Sequence, residues 1–468
     1  MKYFLVNMIF YIFVSMLSAQ TSPDSLRHYN DSNAISDSVL TGKIFVVGNK
    51  VTDDDIILRE VFTRENSKLD ASVLQDDVNR IYKLGLFNKV DVYPVPTDSA
   101  NLFNIMFLVE ERFYILPIPQ GGFRNGEFSK FWGGLNIKWN NFRGRNETAS
   151  LSFGLGYEPF IDVRYFVPWI GRKAHFYSSA EVGYSKNYNR SLLALNDTTS
   201  FSIPSNADNF AIYNFNVSYT LGKYFTKNFS LASTLKYNII NSSKYQEGRT
   251  VSQDGKDNFL TFNFSAKFDT RNSNEYTLAG SYYFLEYQKF GFAKLFDFNR
   301  LNFETRKFIP VKLGKNYSIT FASRTLGALS FGGTIPYYLK EYFGYDNIIR
   351  GYKKVVYEGE NKLGLFNELR IPVIDPFYVE GKSLPAVNRI RMLKNLNYKF
   401  GLYATLFFDV GGVWNKTDNF FKTQFRNGFG AGLNFILPFG FVGRTDFAFR
   451  KEQKKFIFQI IFDLGASF

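Results

Sequence analysis

Leu260-Thr261-Phe262-Asn263-Phe264-Ser265-Ala266-Lys267-Phe268-Asp269 decides the fold. One set of alternate positions, Leu260, Phe262, Phe264, Ala266 and Phe268, is wholly apolar, and the other is polar. Period two with one apolar side is the signature of a β-strand with one hydrophobic face. The pattern recurs from Ala211 to Thr220, where Ala211, Tyr213, Phe215, Val217 and Tyr219 share a face. It recurs again at the end of the chain, where Phe456, Phe458, Ile460, Phe462, Leu464, Ala466 and Phe468 align. Soluble strands average about 5–6 residues, whereas about 10 residues suit a tilted bilayer crossing. A bilayer admits no open sheet edge, so such strands must close into a barrel.

Working outward, about fifteen such runs lie between Trp132 and Phe468. Single-chain bacterial barrels have even strand numbers, so fourteen or sixteen strands are implied and sixteen are expected. Polar insertions at Lys186 to Asn209, Asn241 to Asn258 and Gly332 to Gly359 read as long outer loops. The N-terminus fits an exported chain. Lys2 precedes an apolar run from Phe4 to Leu17, followed by Ser18-Ala19. That is the pattern of a secretory signal peptide, and the run is shorter than the roughly 20 residues a membrane helix needs. Residues 1–19 are therefore expected as signal peptide, with Gln20 beginning the mature chain, and 20–40 as a flexible polar tether.

Composition agrees and removes several chemistries. The 468 residues include 54 Phe and 30 Tyr but no Cys, so disulfides, thiol nucleophiles and cysteine metal sites are excluded. The only histidines are His28 and His175, leaving no histidine cluster for metal or general-base work. No Gly-x-Ser-x-Gly elbow or P-loop is present. Neither an enzyme nor a cofactor is expected. The net charge of +14 does not point to nucleic acid in an exported barrel. Its expected destinations are the lumen, loops facing anionic lipid, and patches such as Lys451 to Lys455.

Between tether and barrel the pattern changes to strand, helix, helix, strand, strand. Lys43 to Val47 is a strand and Gly48-Asn49 a turn. Thr52 reads as an N-cap with Asp53, Asp54 and Asp55 in the first helical turn. Ile56, Ile57 and Val61 fall on one face of that helix. Leu74, Val78, Ile81 and Tyr82 form the stripe of a second helix, which Gly85 ends. Val90 to Tyr93 and Phe103 to Val109 read as strands, and Pro117 and Pro119 as a hinge into the barrel. With Val47-Gly48-Asn49, Leu84-Gly85-Leu86-Phe87 and Val109-Glu110-Glu111 in this order, the segment resembles a POTRA domain. The expected architecture is mainly β: one small α+β POTRA domain at 41–115, then a transmembrane antiparallel β-barrel at 119–468.

The barrel carries further marks. They are Asn141-Phe142-Arg143-Gly144, Asp269-Thr270-Arg271, Ile349-Arg350-Gly351-Tyr352, Phe366-Asn367-Glu368-Leu369-Arg370, Phe407-Phe408-Asp409-Val410-Gly411-Gly412-Val413-Trp414 and Gly428-Phe429-Gly430-Ala431-Gly432. In this order they resemble the BamA/TamA outer-membrane assembly family. The resemblance implies a loop folded back into the barrel, with Arg350, Gly351 and Tyr352 at its tip and Glu368 and Asp409 on the inner wall. It also implies that Phe462 and Phe468 mark a last strand recognised by assembly machinery. Taken alone, Arg350-Gly351 reads as an exposed cation beside a turn; the two acids in their motifs favour the lock. Gly428, Gly430 and Gly432 thin one face of the wall.

Two functions follow from this reading. In the first, the chain assembles, inserts or translocates proteins at the outer membrane, with its N-terminal domain in the periplasm binding clients by β-augmentation. Its partners would be unfolded outer-membrane or secreted clients, periplasmic accessory proteins and outer-membrane lipids. The alternative is a plugged channel or structural barrel without an assembly role.

Overall fold

The computed structural model describes residues 39–468 apart from 100, 124–127, 172–173, 189–210, 243–248, 294–295, 315–316, 345–346, 354, 384–396, 439–440, 453–454 and 467. The expected signal peptide and nearly all of the tether lie outside the described residues, as does most of the 186–209 loop.

The N-terminal domain is a three-stranded sheet carrying two helices. β1 (Leu40–Val47) runs parallel to β3 (Leu102–Glu111), and β2 (Phe87–Pro96) pairs antiparallel on the other side of β3. Helix α1 (Asp54–Leu58) and helix α2 (Ala71–Lys83) bury Ile56, Ile57, Leu74 and Ile81 against Ile105, Phe107 and Val109. Two expectations fail here. Thr52 is not the N-cap of α1; Asp53 holds that position without a side-chain bond. Tyr82 lies outside the buried stripe and is exposed, with Arg112 over its ring. Asp77, on the same helix, is fully buried. It accepts from the Phe62 N–H at 2.7 Å, the Thr63 N–H at 3.0 Å and the Thr63 hydroxyl at 2.5 Å. These bonds satisfy a carboxylate that burial would otherwise penalise.

The rest of the chain forms one sixteen-stranded antiparallel sheet, from β4 (Ile115–Phe123) to β21 (Lys455–Leu464), in chain order. β15 (Glu341–Phe343) and β16 (Tyr357–Gly359) stand apart as a small hairpin within a loop. The alternation holds: Phe215, Val217, Tyr219, Phe262, Phe264, Phe458, Ile460 and Phe462 face outward, while Asn216 and Thr261 are buried inside. Barrel strands run from 9 residues in β4 to 20 in β17 (Asn361–Glu380).

The barrel begins earlier than expected. Pro117 and Pro119 are not a hinge; both lie within β4, opposite Ile137 and Leu135 of β5 (Phe131–Phe142). The other end departs from the alternation. β21 stops at Leu464, the chain turns at Gly465, and Phe468 is buried against Phe308 instead of facing outward.

The two domains meet through Thr52. Its hydroxyl donates to Glu111 Oε1 at 2.6 Å and accepts from Asn141 Nδ2 at 2.8 Å, at the end of β5. Asp53 N–H donates to the Gly144 carbonyl at 2.9 Å. The Asn141-to-Gly144 mark is thus part of the joint between domain and barrel. Partial burial pushes the Glu111 carboxyl up, but hydrogen bonds from Thr52 and Val51 outweigh it and hold the group below the usual glutamate range.

A carboxyl lowered in the folded state stabilises fully above its unfolded value near pH 4.5 and loses that contribution as pH falls below it. Limited proteolysis between the domains should therefore accelerate below that pH. Thr52→Val should accelerate it at neutral pH, with a loss of about 1–3 kcal/mol for the hydroxyl bonds to Glu111 and Asn141. Equal protease resistance across pH and in the variant would show that the joint does not depend on this chain of bonds.

Candidate functional site: a buried arginine network in the barrel lumen

The loop between β14 (Ser318–Gly332) and β17 folds back into the barrel. It carries the β15–β16 hairpin, whose Phe343 packs with Ile349, Tyr352 and Tyr357 against Phe366 and Phe308 of the wall. These apolar residues offset the ordering entropy of a long loop. The same loop sends Arg350 to the inner wall.

Strand parity presents the acids. Glu368 lies on β17 and Asp409 on β18 (Asn397–Trp414), with Phe366 opposite Asp409 and Phe407 opposite Glu368. All four residues face the lumen and are buried. Arg350 binds Asp409 with both ends of its guanidinium, Nε to Oδ2 at 2.7 Å and Nη2 to Oδ1 at 2.6 Å. Its backbone N–H also donates to Asp409 Oδ2 at 3.1 Å, and Nη1 donates to Glu368 Oε1 at 2.5 Å. The guanidinium carbon lies 3.8 Å from the Phe407 ring centroid. Bidentate geometry plus a ring face is something arginine provides and lysine does not.

Glycines make the space. Gly351 has φ +95°, which a side chain would strain. Its carbonyl accepts from Arg450 Nη1 at 2.6 Å, and Arg450 also covers the Tyr352 ring. Gly428 lies on β19 (Arg426–Ile436) opposite Asp409, and a Cβ there would stand 1.7 Å from the Arg350 carbonyl oxygen. Of the glycines foreseen to thin the wall, Gly428 seats the loop tip, whereas Gly430 lies against Phe447 and Phe407 and Gly432 against Asp446 and Thr405.

The expected residues Arg350, Gly351, Tyr352, Glu368 and Asp409 are brought together. Phe462 stays outside the network, on the outer face. Phe468 joins it by a route the sequence reading missed. Glu368 Oε2 accepts from Arg370 Nε at 3.0 Å. Arg370, fully buried, donates from Nη1 to the Thr277 carbonyl at 2.6 Å and from Nη2 to the Phe468 carbonyl at 2.9 Å. Tyr276, Phe308 and Phe468 surround its guanidinium. Glu368 thus holds two arginines, one belonging to the loop and one fixing segments from the opposite barrel end. Arg370 was legible: it stands two residues from Glu368 on one strand and so shares its face.

Removing one member leaves buried charge uncompensated. Arg350→Ala should cost about 3–5 kcal/mol, and Arg350→Lys should recover little of it because the bidentate geometry is lost. Gly428→Ala should act in the same direction by displacing the loop tip. Melting temperature and the gel shift of the folded barrel read both. Unchanged values for Arg350→Ala would make the pairing dispensable.

Comparisons with known proteins agree with this architecture. The Omp85 superfamily domain matches residues 141–468, and the POTRA model, described as a surface antigen variable number repeat, matches 39–112. Among solved structures, BamA from Haemophilus ducreyi lacking POTRA domains 1–3 is similar with a TM-score of 0.64 and 17% identity, over 91% of this chain and 83% of that one. CdiB from Escherichia coli is similar with a TM-score of 0.58 and 13% identity, over 91% and 75%. A curated relative, outer envelope protein 80, chloroplastic, from Oryza sativa subsp. japonica, is 26% identical over 130 residues. That match spans 25% of this chain and about a fifth of the relative, 19%. A sixteen-stranded barrel carrying an in-folded arginine loop, preceded by one POTRA domain and matched by the family model over most of its length, makes this chain a member of the Omp85 superfamily.

Proposed function

We propose that this chain inserts or translocates other polypeptides at a bacterial outer membrane, with its barrel in the bilayer and its POTRA domain in the periplasm. The observation that carries the reading is the pair of edges in the barrel sheet. Among the described residues, no backbone pairing joins β4 to β21. In hydrocarbon an unpaired edge is costly, so such a seam invites an incoming strand. Family membership supports the same reading.

Among the described residues, Asn214, Lys236, Asn238, Asn263 and Lys340 line a cavity of about 460 Å³. A polypeptide in this reading enters the bilayer through the seam or displaces the loop. In this reading Arg350, Glu368 and Asp409 lock the loop and have no catalytic part. The POTRA sheet supplies a strand edge for extended clients by β-augmentation, and Phe462 belongs to the outward face of the terminal strand.

Vesicles containing the purified full chain should accelerate assembly of a urea-unfolded outer-membrane barrel to its protease-resistant form, with little release of an entrapped small dye. Dye release without accelerated assembly would favour the plugged channel instead.

A further inference from the structure

The loop that carries Arg350 also roofs the 460 Å³ cavity. Its wall is built by β9 (Ala211–Tyr224), β10 (Phe229–Ser242), β11 (Lys256–Asp269) and β12 (Gly280–Ala293). The roof is tied down by contacts separate from Arg350. Glu341 pairs with Arg300 at 2.7 Å and with Lys362 at 2.5 Å, and the Tyr338 hydroxyl donates to Asp257 Oδ2 at 2.7 Å. Tyr338 and Leu339 pack with Ile240, Phe259 and Phe290. A cavity bounded by fixed side chains, and within the roughly 300–1,000 Å³ of small-molecule sites, is ready to take a ligand.

Strand parity turns amides toward this space. Asn214, Asn238, Asn263 and Gln288 come from four neighbouring strands, with Asn263 opposite Gln288 in the ladder. Asn238 Nδ2 donates to the Thr261 hydroxyl at 3.1 Å. The side-chain oxygens of Asn214 and Asn263 are buried and accept no hydrogen bond. Acceptors of this kind are costly unless a donor reaches them. The charged side chains lining the cavity are Lys236 from the wall and Lys340 and Glu358 from the loop, a single excess positive charge. Among the described residues neither lysine is in an ion pair, although Asp162 of β7 (Phe160–Ile170) lies in electrostatic reach of Lys236.

We infer that this cavity is a binding site for a small acidic saccharide carrying one carboxylate, of the uronic acid class. Sugar hydroxyls donate to the open oxygens of Asn214 and Asn263 and accept from their amide nitrogens. The carboxylate meets Lys236 and Lys340 in charge-assisted hydrogen bonds, and one negative charge balances the lining. The C–H face of the ring lies on Phe259, Phe290 and the tyrosines of the roof. A lipid chain would leave the amides unpaired, and a polyanion would exceed the available positive charge. Because the ligand touches both wall and roof, its binding holds the loop in the folded-back position.

Calorimetric titration of the purified full chain in detergent micelles tests the site without reference to assembly of other proteins. Galacturonate should bind about tenfold or more tightly than galactose, which lacks the carboxylate, and than acetate, which lacks the ring. It should also raise the melting temperature of the folded barrel. Lys236→Gln and Lys340→Gln should each weaken galacturonate about tenfold and leave galactose unchanged. The Lys340 variant lies in the loop and keeps the wall intact should the Lys236 variant fail to fold. Asn214→Leu with Asn263→Leu should erase the preference for galacturonate over acetate. No binding of galacturonate, equal binding of galactose or acetate, or unchanged affinity in both lysine variants overturns the assignment. A glycolipid bearing the same uronate either displaces galacturonate, which makes the natural source membrane-linked, or does not, which makes it a free saccharide; both results keep the site.

Discussion

Every backbone N–H and C=O that enters hydrocarbon needs a partner, and the barrel is arranged by that constraint. Among the described residues, sixteen strands in unbroken neighbour order each pair on both sides except the first and last. The same ladder fixes side-chain parity, which sends Phe262 and Phe264 outward and Thr261 inward along one strand. Once parity is set, Glu368 and Asp409 must face the lumen, and a charge placed there must find its partner there.

The partner network is better read as specification than as net stability. Burying an ion pair costs desolvation comparable to what the pairing returns, whereas breaking one member is strongly unfavourable. Arg350 is bound by two carboxylates and a backbone contact, with Phe407 beneath it. Such a site admits one loop position and penalises its neighbours. Glu368 extends the arrangement by holding Arg370, which fixes Thr277 and Phe468. The outer loop and the segments entering from the other end are thereby referred to one carboxylate.

Much of this was legible because strands repeat every two residues. Strand number, the outward face, and the assignment of Arg350, Glu368 and Asp409 follow from alternation and motif order. What escaped depends on contacts between distant segments. Phe468 continues the apolar alternation in sequence, yet the turn at Gly465 carries it into the lumen. Thr52 looks like a helix cap, but Glu111 and Asn141, far away in sequence, claim its hydroxyl. Pro117 and Pro119 look like a hinge because proline usually ends a strand. At an edge, with nitrogens turned away from the neighbour, it does not.

The loop lock and the unpaired edges of β4 and β21 fit one account, in which the lumen is held closed by charge and the wall opens at that seam. A reversible bond across the seam tests it most directly. Ile118→Cys is paired in turn with cysteine at Ile457, Gln459 or Ile461, which share the inward face of β21, and barrel assembly is followed in vesicles before and after oxidation. The account predicts that oxidation stops assembly and that a reductant restores it. Assembly continuing at the same rate with the seam covalently closed would contradict it.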